Sequence, residues 1–120
     1  MQEDRDEEDR RAYDLKARVD HARKAVQRSY RKHARNIMAF GRLTVMVSTA
    51  RLAAIHAPER LPRLRVLVAR RNRAIAAGVR SVHAMGEARE RLDIAVRNWG
   101  DYRRSYPPGH VFTFPARQRR

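Results

Sequence analysis

The 120-residue sequence has no cysteine, which excludes disulfide frameworks, thiolate metal sites and cysteine nucleophiles. Glycine and proline number only five each, and no glycine-rich phosphate loop or nucleophile elbow occurs. Acidic residues are missing from a long central stretch, with none between Ala22 and Ala57. No two of His21, His33, His56, His83 and His110 stand at the spacing of a helical metal site. These absences leave no catalytic constellation, cofactor motif or metal site, and they point away from an enzyme. Aromatic residues are few, namely Tyr13, Tyr30, Phe40, Trp99, Tyr102, Tyr106, Phe112 and Phe114, whereas single-strand binders interleave stacking rings with cations.

A targeting or spanning segment is not evident either. Residues 1–11 mix six acidic with three basic side chains, unlike a signal or transit peptide. The longest apolar stretch, residues 43–55, is short for a membrane span and contains Arg51. The expectation is a virion-internal (nucleocapsid) or intracellular protein that is not secreted by a signal peptide and has no membrane span.

What the sequence has in abundance is arginine. Of 28 Lys and Arg only Lys16, Lys24 and Lys32 are lysines, and against 13 Asp and Glu the formal charge is +15. A chain so charged repels itself and seeks polyanions. The arginine fork grips phosphate bidentately and sheds water more readily than an ammonium, so the bias suits nucleic acid.

Apolar spacing predicts helices. Leu15, Val19, Ala22, Val26, Tyr30, His33, Ile37 and Phe40 step by three and four, a narrow seam on a helix on the order of 40 Å long. Tyr30 and Phe40 read as core, and His33 as a satisfied core histidine. Residues 43–57 are apolar almost all round; they favour helix, with a short strand as the competing form, and demand burial on every side. Pro58 and Pro62 bracket a turn. A second helix follows, with a seam of Leu64, Val68, Ile75, Val79 and Val82 that shifts near Gly86 to Met85, Leu92, Val96 and Trp99, implying a bend or a change of partner there. Glu87 with Arg91 and Asp93 with Arg97 are set for ion pairs on its outer face.

The predicted fold class is all-α: two long helices in a helical hairpin with an apolar middle helix, an extended C-terminal tail, and an oligomeric assembly. Residues 1–11 form a charged N-terminal segment, either a helix start or an arm that docks on a neighbour's basic surface. Residues 12–104 form the helical domain, with helices at about 12–57 and 62–104. Residues 105–120 form a tail in which Pro107, Pro108, Gly109 and Pro115 exclude helix and Arg117, Arg119 and Arg120 close the chain. Phe112 and Phe114 are expected to pack on a neighbour. Tyr102 and Tyr106 are expected to pack at an interface rather than stack on bases.

The candidate site lies opposite the first seam. Lys24, Arg28, Arg31, Arg35 and, if the helix continues through Gly41, Arg42 fall within about 60° of one another at helical spacing. They make a basic rail able to follow a phosphate backbone. A merely solvated face would mix in glutamate, and this one has no acid. Arg73 and Arg80 stand opposite the early seam of the second helix, where acidic residues return and the signal is weaker. No helix-turn-helix is evident, so backbone contact is expected rather than sequence readout.

The rail, the apolar residues 43–55 and the second helix from Leu64 to Trp99 together resemble the major coat proteins of filamentous and rod-shaped archaeal DNA viruses. The resemblance lies in architecture, not in a motif. It implies a helical subunit that pairs with copies of itself around double-stranded DNA held in a dehydrated, A-like form. The acidic residues Glu3 to Asp9 depart from that pattern. The expected function is a structural protein that coats or packages double-stranded DNA, self-associating into dimers or a filament. The alternative is a ribosome- or RNA-associated helical protein. A membrane-surface or scaffold protein is the third class weighed, because basic amphipathic helices also bind anionic lipid.

Overall fold

The computed structural model describes residues 2–114. Helix α1 spans Gln2–His56 and helix α2 spans Leu61–Arg104, with a 3-10 turn at Pro58–Arg60 between them. No strand occurs among the described residues, so residues 43–57 take the helical option. Their threonines fit by donating back one turn, Thr44 to the Phe40 carbonyl at 2.9 Å and Thr49 to that of Val45 at 3.1 Å. Helix α1 begins earlier than expected: residues 2–11 belong to it, and Glu3 and Asp4 occupy the first turn, where negative charge is favoured.

The break between the helices has a local cause. The ring of Pro58 forces Ala57 out of the helical region, to φ −141° and ψ 84°. The Arg60 N–H then bonds to the Ala57 carbonyl at 3.0 Å, and Pro62 falls in the first turn of α2, where no intrahelical donor is needed.

By its internal contacts the chain divides into two units, Met1–Val26 with Ala88–Arg120, and Gln27–Glu87. In the first, Ala12, Leu15, Val19, Val26 and Ala88 are buried, and Leu92, Ala95, Trp99 and Tyr102 are half-buried. The tail then returns onto this core. Pro108 and Gly109 occupy the centre of a turn closed by the His110 N–H on the Pro107 carbonyl at 3.1 Å, and the φ of +84° at Gly109 needs glycine. Beyond the turn, Phe112 lies 5.9 Å from Trp99 and 5.8 Å from Tyr102 between ring centroids, and Phe114 lies 6.2 Å from Tyr13. The Thr113 N–H donates to the Asp9 carboxylate at 3.1 Å, and the Tyr102 hydroxyl donates to the Glu8 carbonyl at 3.0 Å. Burial, and then the Tyr106 hydroxyl beside it, push the Tyr102 phenol above its ordinary range.

One expectation is corrected here, and of the two readings of residues 1–11 the helix start is the one formed. Phe112 and Phe114 pack on their own chain, because the turn at Gly109 aims them back at Trp99 and Tyr13. Asp9 and the Glu8 backbone are engaged within the same unit, holding that tail and Tyr102. Arg117, Arg119, Arg120 and Pro115 lie outside the described residues.

The second unit is built differently. Its inward positions are Ser29, His33, Asn36, Phe40, Leu43, Val47, Ala50 and Ala54 on α1, and Leu64, Leu67, Arg71, Ala74, Gly78, Ser81 and Met85 on α2, all buried or half-buried. Both lines step by three and four, the 3.5-residue period of coiled-coil packing. Only Val47, Leu67 and Ser81 of these are buried rather than half-buried, and Val47 alone is fully buried. The Asn36 side chain donates to the Ala77 carbonyl at 3.3 Å, and His33 Nδ1 lies 2.6 Å from the Ser81 hydroxyl. Ser81 spends its one hydroxyl proton on the Gly78 carbonyl at 2.9 Å, so His33 is the donor of the pair through a protonated Nδ1. His33 is thus a satisfied inward histidine, as expected.

The expected seams were placed on the larger residues, and that was wrong at alternate positions. Tyr30 and Ile37 are 47% and 55% exposed, with Ser29 and Asn36 turned inward in their place. On α2, Ile75, Val79 and Val82 are about half exposed, and Ala74, Gly78 and Ser81 face inward. The polar contacts of His33 with Ser81 and of Asn36 with the Ala77 carbonyl fix that choice of face, since they turn the bulkier neighbours outward. The inward line continues at the same period from Ser81 through Met85, Ala88, Leu92 and Ala95 to Trp99, so the anticipated shift at Gly86 does not occur. Nor are residues 43–55 buried on every side: Val45, Leu52 and Ile55 are each about two-thirds exposed.

Candidate nucleic-acid interface

Helix α1 continues through Gly41, which fulfils the condition for counting Arg42 with the rail. In the second unit Arg28, Arg31, Arg35 and Arg42 are all exposed and lie on the side of α1 opposite its inward line. Lys24, in the first unit, is exposed as well. From Arg28 to Arg42 the helix advances about 21 Å, so the four guanidiniums form an extended line of positive charge rather than a point cluster.

Electrostatics separates this unit from the other. Gln27–Glu87 holds 13 of the 28 basic residues but only Glu59 and Glu87 of the 13 acidic ones. Among the described residues the ion pairs are Arg23 with Asp20, Arg89 with Asp93 and Arg104 with Asp101, all in the first unit. No arginine of the second unit has a carboxylate partner among the described residues. Such side chains exchange water for phosphate without first breaking an internal pair. The expected pairs Glu87–Arg91 and Asp93–Arg97 are not among those formed, since Asp93 turns to Arg89.

Arg73 and Arg80 are exposed on α2, two helical turns apart. They lie on a different helix from the α1 rail. Tyr102 and Tyr106 are engaged with each other at a 5.3 Å centroid separation and with Phe112, which removes them as stacking platforms.

Two features escaped the sequence reading. The outer stripe of α1 does not end with the rail: Met38, Val45, Thr49 and Leu52 continue it at the same three-four spacing, all exposed. The spacing was legible, but residues 43–57, which include Val45, Thr49 and Leu52, were expected to be buried because that segment is apolar almost all round. The second feature is an open groove of about 500 Å³ lined by Val45, Met46, Thr49, Ala50, Ala53 and Leu67, with Arg60 and Arg63 at its edge. Those two arginines stand on either side of Pro62, and nothing in their spacing marks them as a pair.

Helix α1 is long and apolar enough to cross a membrane by length and composition alone. Residues 43–55 alone are too short, but the uninterrupted helix extends the apolar run through Gly41 and past Arg42.

Comparison with known proteins gives no matching family model, no matching curated protein and no matching solved structure.

Proposed function

We propose that this protein is a structural nucleic-acid-binding subunit that coats or packages double-stranded DNA through the outer stripe of α1, as part of a virion or nucleocapsid. The observation that carries the reading is the set of exposed, carboxylate-free arginines Arg28, Arg31, Arg35 and Arg42 in a unit with 13 basic and two acidic residues. Lys24 extends the stripe, and Arg73 and Arg80 supply a weaker secondary contact. Contacts of this kind neutralise phosphates without reading bases, as a coating protein requires. The helices pair as an antiparallel hairpin in this reading; its support is that His33 meets Ser81 while Asn36, further along α1, meets Ala77, earlier on α2.

Self-association belongs to the same proposal. Asn72, Ile75, Val79, Val82 and Gly86 form an exposed, uncharged stripe at three-four spacing on α2. An apolar stripe without charge suits a second copy of itself, packed as in a helix bundle.

Salt titration of duplex binding tests the proposal. Replacing Lys24, Arg28, Arg31 and Arg35 by alanine should lower the slope of log affinity against log salt by roughly 0.9 per residue, equally for unrelated sequences. An unchanged slope with helicity intact would show that the rail is a solvated face. The same titration on duplex RNA separates DNA coating from the RNA-associated alternative.

A further inference from the structure

We propose that the turn-proximal part of the second unit binds the surface of an anionic phospholipid bilayer, with Val45, Leu52 and Ile55 entering the acyl boundary and Arg60 and Arg63 holding headgroup phosphates. This goes beyond the coating function and does not depend on it.

Three observations converge on this end of the unit. Val45, Leu52 and Ile55 are 66%, 67% and 67% exposed, an apolar set that water does not favour. Arg42 and Arg51 border this face on α1, both exposed and both long enough to carry their charge up to a headgroup plane while their stems lie along apolar surface. The groove of Val45, Met46, Thr49, Ala50, Ala53 and Leu67 opens beside Arg60 and Arg63, an apolar slot with cations at its edge. Neither arginine has a carboxylate partner among the described residues.

Charge decides between occupants. A nucleic acid satisfies the arginines but leaves Val45, Leu52 and Ile55 in water. A second copy of this face covers the apolar residues but sets Arg42, Arg51, Arg60 and Arg63 against their own duplicates, a like-charge contact without a compensating acid. An anionic bilayer satisfies both, since its apolar interior begins beneath a layer of phosphate. The uncharged stripe of Ile75, Val79 and Val82 on α2 carries no such conflict, which is why it suits a second copy and this face does not.

The experiment uses nuclease-treated full-length protein and vesicles of phosphatidylcholine alone or mixed with phosphatidylglycerol, read by co-sedimentation. The expected result is binding at least tenfold tighter to the phosphatidylglycerol vesicles. Arg60→Gln with Arg63→Gln should weaken it roughly thirty-fold, from the electrostatic attraction of basic residues near an anionic surface. Val45→Asp with Leu52→Asp, at positions where the helix tolerates polar side chains, should weaken it at least as much with unchanged circular dichroism. Arg89→Gln with Arg97→Gln, a charge-matched change in the first unit, should cost less than threefold. The proposal is overturned by an absence of vesicle binding, by full binding of the Val45/Leu52 variant, or by an equal loss in the charge-matched control. It is also overturned if the Val45/Leu52 variant breaks up an oligomer in solution while vesicle binding is unchanged, because the face is then covered by a second copy. Should that variant lose helicity, the two arginine pairs still decide the outcome.

Discussion

The two units have nearly the same number of residues and opposite chemistry. The unit of Met1–Val26 with Ala88–Arg120 contains 11 of the 13 acidic residues, all the ion pairs found among the described residues, and a cluster of rings from Tyr13 to Phe114. Gln27–Glu87 has two acids and no ion pair, and it exposes 12 of the 16 large apolar side chains that face solvent. One unit satisfies its own side chains; the other holds its charges and apolar faces outward. A region left that way presents positive charge and apolar surface to solvent together.

The sharpest way to break this comparison is to remove equal charge from each unit. Arg89, Arg97, Arg103 and Arg104 changed together to alanine should leave the salt slope of duplex binding nearly unaltered. Arg28, Arg31, Arg35 and Arg42 of the second unit changed together should remove a slope of about 3.6, roughly a hundredfold of the affinity difference between 50 and 200 mM salt. Equal losses would mean that net charge, not the rail, sets binding.

Next in size is the ring cluster. Trp99→Ala removes the platform for Phe112 and Phe114 and should cost about 2–4 kcal/mol in a denaturant melt, somewhat below a fully buried tryptophan because Trp99 is half-buried. Hydrogen exchange should then rise in the first unit and hold in the second. A uniform rise along the chain would show that the two units unfold as one.

Ser81→Ala tests the polar seam of the second unit. It strips the acceptor from the His33 Nδ1–H and should destabilise by about 1–2 kcal/mol. His33→Ala added to it should cost little more, since the two residues share one interaction.

The smallest effect is at Tyr102. Tyr102→Phe loses the bond to the Glu8 carbonyl and the contact with the Tyr106 hydroxyl, about 1 kcal/mol. Its phenol is held above the ordinary value near 10, so the folded state keeps a proton that the unfolded chain gives up. Stability contributed this way is complete below pH 10 and falls as pH rises beyond it. Alkaline melts of the phenylalanine variant should show a shallower decline than those of the unmodified protein.

Much of the fold was legible because helix signals are local. Pro58 and Pro62 marked the break, uninterrupted three-four spacing marked α1 and α2, and the absence of acid after Ala22 marked the rail. The inward positions were harder. Spacing alone allowed either Tyr30 and Ile37 or Ser29 and Asn36, and size favoured the wrong pair. Which side of a helix is buried is settled only when it meets its partner, here where His33 meets Ser81 and Asn36 meets the Ala77 carbonyl. Arg60 and Arg63 carried no sequence signal, because a groove exists only where α1, the turn and α2 come together.

The sequence by itself determined the helices, the break between them and the sign of their charge, since backbone restriction at proline, side-chain period and ionisation act within a few residues. Only the tertiary structure decided that Phe112 and Phe114 return to their own chain, that small residues line the seam of the second unit, and that Val45 and Leu52 stand in the open beside arginines. Those outcomes depend on contacts between residues tens of positions apart, where close packing admits one set of side chains and excludes its neighbours.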